Sequence, residues 1–143
     1  MSKKSLVYTD KALTGIGALA FVTLLPLSFI ESPRMCLRIV LVCGVSFVLV
    51  TILRKLIDAP RPNVEGAIYN KKTGESFPSR HTFSMCIIAF SWFNLNVVVG
   101  SILCALSVAL GATRVAIGAH HVRDVVGSIL IAGVCACAGY LFF

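Results

Sequence analysis

The chain has 143 residues, of which 57% are hydrophobic and 13% are charged, and its mean hydropathy is +0.91. These values lie far from the averages of soluble globular domains and indicate an integral membrane protein. In a soluble protein, the net charge of +7 would suggest a nucleic-acid partner. Here most positive residues lie between apolar segments. The expected partners are therefore membrane lipids or an anionic substrate, and not nucleic acid.

The first two apolar segments are each long enough to cross a bilayer. Residues 12–30 carry no charge and predict one spanning helix. A signal peptide is the alternative for this segment, but no small-residue cleavage pattern follows it. Residues 36–53 predict the second span, after a turn at Pro33. Arg38 is expected to extend its side chain to the membrane interface.

The rest of the chain predicts one long polar loop and three more helices. Residues 54–80 form the loop, because glycine and proline recur along it. Helices are predicted over 79–94, 97–117 and 122–143. Since backbone groups in lipid must be satisfied internally, the spans are helices and not strands. The sequence therefore predicts one membrane-embedded domain over residues 1–143, an all-α bundle of five transmembrane helices.

Three polar clusters, residues 54–62, 77–82 and 113–124, interrupt this apolar sequence. No residue between the second and third clusters is charged. As one straight helix, that span would place His81 and Arg114 roughly 50 Å apart, which exceeds the thickness of a bilayer. The chain is therefore expected to turn near residues 94–96 and to return both clusters to the same membrane face, where the first cluster can join them.

The third cluster contains the residue types of a nucleophilic site. His120 and Asp124 are four residues apart and share a helix face. A carboxylate in that position fixes the tautomer of the imidazole and activates it as a nucleophile or base. Arg114 would lie at a helix end in the membrane, where an ionisable residue is costly and functional by default. A lone interfacial histidine and a helix-capping aspartate are the alternative interpretation.

The other two clusters have features that are typical of anion binding. Pro78 and Ser79 predict a helix start, where free N–H groups and the helix dipole attract an anion. The Ser79 hydroxyl would donate to that anion, and His81 is placed as a proton donor; a simple serine cap beside a surface histidine is the alternative. The guanidinium groups of Arg54 and Arg61 suit phosphate oxygens, although basic residues at helix ends also anchor helices to head groups.

Together, the three clusters resemble the type 2 phosphatidic acid phosphatase superfamily, the lipid phosphate phosphatases. The family pattern is K-x6-R-P, then P-S-G-H, then S-R-x5-H-x3-D. Residues 54–62 follow the first motif with arginine in place of lysine. Residues 78–81 follow the second motif, except that Arg80 replaces glycine, and residues 113–124 follow the third motif with threonine in place of serine.

The resemblance implies a mechanism for these residues. His120 would attack phosphorus and form a phosphohistidine, Asp124 would orient His120, and His81 would protonate the leaving oxygen. The phosphoryl oxygens would be held by basic and hydroxyl side chains, namely Arg54, Arg61, Ser79 and Arg114. The resemblance implies no metal and no cofactor, because the arginines supply the positive charge.

Three positions leave alternatives open. Lys55 would take the place of Arg54 in the phosphate site if the helix end shifted by one residue. Arg80 either crowds the phosphate, where the family has glycine, or points outward to a second phosphate or a head group. His121 is adjacent to His120, and only the family spacing favours His120 as the nucleophile.

We therefore expect a multi-pass enzyme of the cell membrane that hydrolyses a lipid phosphate monoester or diphosphate. Polyprenyl diphosphate, phosphatidylglycerol phosphate and phosphatidic acid stay open as substrates, as does the oligomeric state. The alternatives are a catalytically inactive relative that binds anionic lipid head groups, and a small anion carrier, which would be expected to show an internal repeat.

The distribution of positive charge predicts the orientation in the membrane. With five helices, the amino terminus, the 54–80 loop and the turn before residue 124 share one face. Eleven of the lysines and arginines lie on that face, and two, Arg34 and Arg38, lie on the other. The positive-inside rule therefore predicts a site on the cytoplasmic face.

Overall fold

The computed structural model describes residues 3–63 and 73–142, and every regular element within these ranges is an α-helix. The helices are α1 (Lys3–Glu31), α2 (Pro33–Ile57), α3 (Arg80–Trp92), α4 (Val97–Ala116) and α5 (Val122–Phe142). The predicted all-α membrane bundle is confirmed, and each helix has the predicted place in the chain. Residues 64–72 of the predicted loop lie outside the described residues.

The first two helices are longer than predicted. α1 begins at Lys3 instead of residue 12, so Asp10 lies inside the helix. Only Ser32 separates α1 from α2, because Pro33 takes the first position of α2, where the missing N–H would have had no helical partner. α2 also continues past residue 53 and ends at Ile57. Asp58 caps it with a left-handed backbone (φ 40°), and its N–H donates to the carbonyl oxygen of Arg54.

Within the described residues, four helices are long and apolar enough to cross a membrane, namely α1, α2, α4 and α5. α3 has 13 residues and is therefore about 20 Å long, which is shorter than the hydrocarbon core of a bilayer. Most of α3 is buried among the other helices, whereas large apolar side chains such as Leu19, Val48 and Leu130 are exposed on the outer surface. The bundle thus packs its shortest helix at the centre and directs apolar side chains of the longer helices towards lipid.

The predicted turn between the second and third polar clusters is present. α3 ends at Trp92, and the side chain of Asn96 caps α4 by accepting a hydrogen bond from the backbone N–H of Val99 at 3.0 Å. Near the opposite end, a Cβ atom on Gly111 would lie 2.4 Å from a methyl group of Val125, so glycine is needed for the close approach of α4 and α5. This hairpin returns the end of α4 to the start of α3.

The described part of the loop is fastened to the same end of the bundle. The backbone N–H of Ser76 donates to the carbonyl of Ala59 at 2.8 Å, and the N–H of Ser79 donates to the carbonyl of Asp124 at 3.1 Å. The Ser128 hydroxyl also donates to the carbonyl of Ser79 at 3.0 Å. The start of α3 is therefore held against the first turns of α5, in a recess where the three clusters meet.

Candidate active site

His120 and Asp124 form a buried pair between α4 and α5. The chain reverses at Gly118, whose φ of 74° favours glycine, and this reversal places His120 just before α5. Nδ1 of His120 lies 3.5 Å from Oδ2 of Asp124, which also accepts a hydrogen bond from the backbone N–H of His121 at 2.8 Å. Since the carboxylate faces Nδ1, Nε2 on the other side of the ring is the nitrogen that this contact leaves available.

Ser76 is a member of this cluster that the sequence did not indicate. Its side chain is fully buried, and its hydroxyl donates a hydrogen bond to Oδ2 of Asp124. The hydroxyl oxygen also lies 3.5 Å from Nδ1 of His120. The first family motif ends at Pro62 and the second begins at Pro78, so Ser76 lies in an irregular loop between them and no local pattern marks it.

The first cluster contributes two arginines that bind backbone carbonyl groups. Arg54 is buried, and its guanidinium donates to the carbonyl oxygens of Glu75 and Pro78, whereas Lys55 is exposed. Arg61 donates from Nε to the carbonyl of Gly74 at 3.1 Å and from Nη1 to the carbonyl of Ala119 at 3.2 Å. Arg54, and not Lys55, thus lies against the loop that precedes α3. Arg61 joins this loop to the residue before His120.

The third arginine, Arg114, is buried near the end of α4. Its Nε lies 2.8 Å from Oδ1 of Asp10, and its Nη2 donates to the Thr14 hydroxyl at 3.4 Å. Both partners belong to α1. Asp10 precedes the predicted first span, residues 12–30, and no role was predicted for it. The only sequence signal was a carboxylate next to an apolar run.

The second cluster faces two different environments. Ser79 is fully buried at the start of α3, and its hydroxyl lies 3.1 Å from the Thr82 hydroxyl instead of capping the helix. His81 is exposed. The Arg80 guanidinium lies 6.0 Å from the centre of the Phe47 ring on α2, and the side chain is exposed. Of the two orientations considered for Arg80, the structure has the outward one.

A mostly apolar cavity of about 430 Å³ adjoins His81. Arg80 and His81 lie at the end of the cavity formed by the start of α3, and its walls include Phe21 of α1, Phe47 of α2 and Leu110 of α4. Its volume is within the range of small-ligand sites. The cavity therefore extends from the polar start of α3 along apolar side chains of the neighbouring helices.

The positive charges of the three clusters converge on the two histidines. Burial lowers the pKa of His120 from 6.5 to about 4; the charge of Arg61 adds to this effect, and Asp124 opposes it. His120 is therefore neutral at pH 7, which is the form of an imidazole that can act as a nucleophile. The charges of Arg54 and Arg114 lower the pKa of His120 further. Desolvation also lowers the pKa of His81 from 6.5 to about 4, and the charges of the three arginines and of Arg80 add to this effect.

Among the residues that the structure describes, no group of three or more histidine, cysteine, aspartate and glutamate side chains could hold a metal ion. The acidic groups near the recess instead contact basic side chains. Asp10 contacts Arg114, Asp124 contacts His120, and Glu75 lies 4.0 Å from Arg54.

Comparison with known proteins identifies a family and two similar folds. The sequence model of the PAP2 superfamily matches residues 35–143, which include all three clusters but not α1. The crystal structure of Aquifex aeolicus LpxE is similar with a TM-score of 0.80 and 22% identity, covering 99% of this chain and 88% of that chain. The PAP2-type phosphatidylglycerolphosphate phosphatase from Bacillus subtilis gives a TM-score of 0.68 at 25% identity, covering 98% of this chain and 81% of that one. No curated protein matches the sequence significantly.

Proposed function

Because the chain belongs to the PAP2 superfamily, we propose that it is a membrane phosphatase that hydrolyses a lipid phosphate through a phosphohistidine at His120. The observation that carries the proposal is the buried His120, whose Nδ1 faces Asp124 within a cluster of arginines. The similarity to a phosphatidylglycerolphosphate phosphatase supports the same reaction class.

The proposed reaction has two steps on one phosphorus atom. Nε2 of His120 attacks phosphorus while the bond to the lipid oxygen breaks, and His81 gives its proton to that oxygen. His81 is neutral in the free protein, because its pKa is lowered to about 4, and it takes up this proton when the negative charge of the bound phosphoryl group offsets the nearby arginines. Water then attacks the phosphohistidine, neutral His81 takes the proton from the water, and the P–N bond breaks to release inorganic phosphate. Asp124 stabilises the positive charge that develops on the imidazole of His120.

The arginines would stabilise the transition state without a metal. Arg54, Arg61 and Arg114 supply three positive charges around the recess, and Ser79 adds a hydroxyl donor. Such prearranged donors are most effective where water is excluded, and Arg54, Arg114 and Ser79 are buried. We therefore propose that the enzyme needs neither metal nor cofactor.

The cavity beside His81 supports a lipid as the substrate. In an in-line displacement the leaving group departs on the side opposite to the nucleophile, so the group protonated by His81 lies on the side of the cavity. An apolar wall accommodates the hydrocarbon chain of a lipid alcohol. For a lipid diphosphate, the second phosphate would remain on this leaving group, next to Arg80.

The test is phosphate release from a panel of lipid monophosphates and diphosphates by the purified protein in detergent. His120→Ala should abolish turnover, whereas the matched neighbour His121→Ala should retain most of it. A ³²P-labelled substrate should leave an acid-labile label on the wild-type protein and on His121→Ala. The label should be absent from His120→Ala. Loss of turnover in His121→Ala but not in His120→Ala would reverse the assignment of the nucleophile.

Two further results bear on the same proposal. Chelation by EDTA should leave the rate unchanged, and a loss that Mg²⁺ restores would contradict the metal-free mechanism. Vanadate should inhibit, because it can adopt the five-coordinate geometry of phosphorus bound to His120. Binding of lipid phosphates without turnover of any of them would instead identify an inactive relative that binds head groups.

We also propose that the site faces the cytoplasm. Asp10 of α1 contacts Arg114 of α4, and Arg61 contacts Ala119, so the start of α1, the loop and the turn before α5 share one end of the bundle. At the opposite end, Arg38 donates to the carbonyl of Tyr140. The excess of positive residues at the end that contains the site supports a cytoplasmic location.

A further inference from the structure

The first helix provides a buried carboxylate that the proposed reaction does not use. Asp10 is 1% exposed, although it lies on a long, mostly apolar helix that could cross a membrane. An ionisable group at such a position is costly, and it is kept where it pairs with another group that matters to function. α1 lies entirely before residue 35, where the match to the family begins, so the family motifs do not account for Asp10.

Asp10 meets Arg114 along one edge of the guanidinium group. Oδ1 lies 2.8 Å from Nε, which makes the two side chains a close, buried ion pair. One turn further along α1, the Thr14 hydroxyl accepts from Nη2 of the same arginine at 3.4 Å, and Thr14 in turn donates to the Asp10 carbonyl at 2.8 Å. The Thr113 hydroxyl, next to Arg114 in the chain, lies 3.4 Å from the same carboxylate oxygen.

Two contacts from one helix restrict how the guanidinium plane can rotate. Nε and Nη2 lie at different positions on that plane, so partners on successive turns of α1 define its tilt as well as its position. Orientation matters for Arg114 because a planar guanidinium binds phosphate oxygens best in a bidentate geometry.

We propose that Asp10 is a positioning residue, which holds the Arg114 guanidinium in the orientation that binds the phosphoryl oxygens. The proposal rests on the function proposed above, since it assigns Arg114 to the phosphate. It gives α1 a part in the active site beyond anchoring the chain in the membrane. The competing explanation is a purely structural ion pair that joins α1 to α4.

The test is a double-mutant cycle with Asp10→Asn and Arg114→Gln. The quantities measured for each variant are kcat, KM and thermal stability. Asp10→Asn should lower kcat/KM by about 10- to 100-fold, because a displacement of about 1 Å of a group that positions substrate costs up to about that much. In the Arg114→Gln background, Asp10→Asn should change kcat/KM by less than about twofold, because the residue through which it acts is gone. The double variant should nevertheless be more stable than Arg114→Gln, because it no longer buries an unpaired carboxylate.

These readouts separate positioning from a structural role. If the pair only joined the helices, activity would follow stability, and the double variant would recover both. An equal loss from Asp10→Asn in both backgrounds, or wild-type kcat/KM in Asp10→Asn, would overturn the proposal. Lys11→Gln, an adjacent exposed change of charge on the same helix, is the matched control and should leave kcat/KM unchanged.

A second measurement distinguishes failure of this proposal from failure of the proposed function. Stabilisation of the protein by vanadate can be followed in a thermal-shift assay without any turnover. Weaker vanadate stabilisation in Asp10→Asn than in Lys11→Gln would support positioning even if no lipid phosphate were hydrolysed. Equal stabilisation of both variants by vanadate would reject positioning even if the wild-type protein were an active phosphatase.

Discussion

Removal of the Ser76 hydroxyl is expected to weaken catalysis more than it weakens the fold. Oδ2 of Asp124 accepts hydrogen bonds from the Ser76 hydroxyl and from the backbone N–H of His121, and it faces Nδ1 of His120 at 3.5 Å. Ser76→Ala removes one of these donors. The carboxylate would then be free to rotate away from the imidazole whose developing charge it stabilises.

The size of the effect follows from the hydrogen bond that is lost. A bond to a charged group contributes about 1.5–3 kcal/mol. At about 1.4 kcal/mol for each factor of ten, Ser76→Ala should lower kcat by about 10- to 100-fold if that energy is used in the transition state. Asp124→Ala should lower kcat further, because it removes the carboxylate itself.

The assay is steady-state phosphate release in detergent, with the melting temperature measured on the same samples. Ser107→Ala is the matched control: this serine is also buried, and its hydroxyl donates at 2.7 Å to a carbonyl within α4. It should leave kcat unchanged. A kcat for Ser76→Ala within about twofold of wild type, together with a large loss for Asp124→Ala, would show that Ser76 does not support the pair.

Four further predictions address charge, specificity and topology. An NMR titration of labelled histidine, assigned with His120→Gln, should find the His120 imidazole still neutral at pH 5.5, because its pKa is lowered to about 4; a transition near 6.5 would contradict this. The same shift should make the free energy of unfolding fall as the pH decreases from 6.5 towards 4, since the unfolded chain binds the proton first. Arg80→Gly should lower kcat/KM for a lipid diphosphate more than for a monophosphate, and equal losses would reduce Arg80 to a general positive charge. Single cysteines at Lys72 and Ser32, in a background without native cysteines, should react with an impermeant thiol reagent in intact cells at 32 only; labelling at 72 only would place the site outside.

The helices and their order were predictable because each depends on a local signal. An apolar run of sufficient length forms a membrane helix whatever its neighbours are, since lipid offers its backbone no other hydrogen-bond partners. The turn before α4 followed from the length of the uncharged span between His81 and Arg114. The starts of α1 and α2 were less accurate, because their polar first turns resemble loop sequence.

The grouping of His120, Asp124 and the arginines was predictable from spacing, whereas choices between adjacent residues were not. Neighbouring positions on a helix point about 100° apart, so only packing could decide that Arg54 is buried against the loop and Lys55 is exposed. The direction of Arg80 was likewise decided by the Phe47 ring on α2. A sequence motif names residue types, but it does not determine which way a side chain points.

By itself, the sequence determined a helical membrane protein with three polar clusters at one end and a histidine–aspartate pair among them. Only the tertiary structure brought in Ser76 and Asp10, which contact residues 48 and 104 positions away in the chain, Asp124 and Arg114. In both contacts the two residues are too far apart in the chain to be neighbours on one helix, and neither Ser76 nor Asp10 belongs to a motif. Their roles arise because the loop packs onto α5 and α1 packs against α4, and contacts between distant segments leave no pattern in the sequence of either segment.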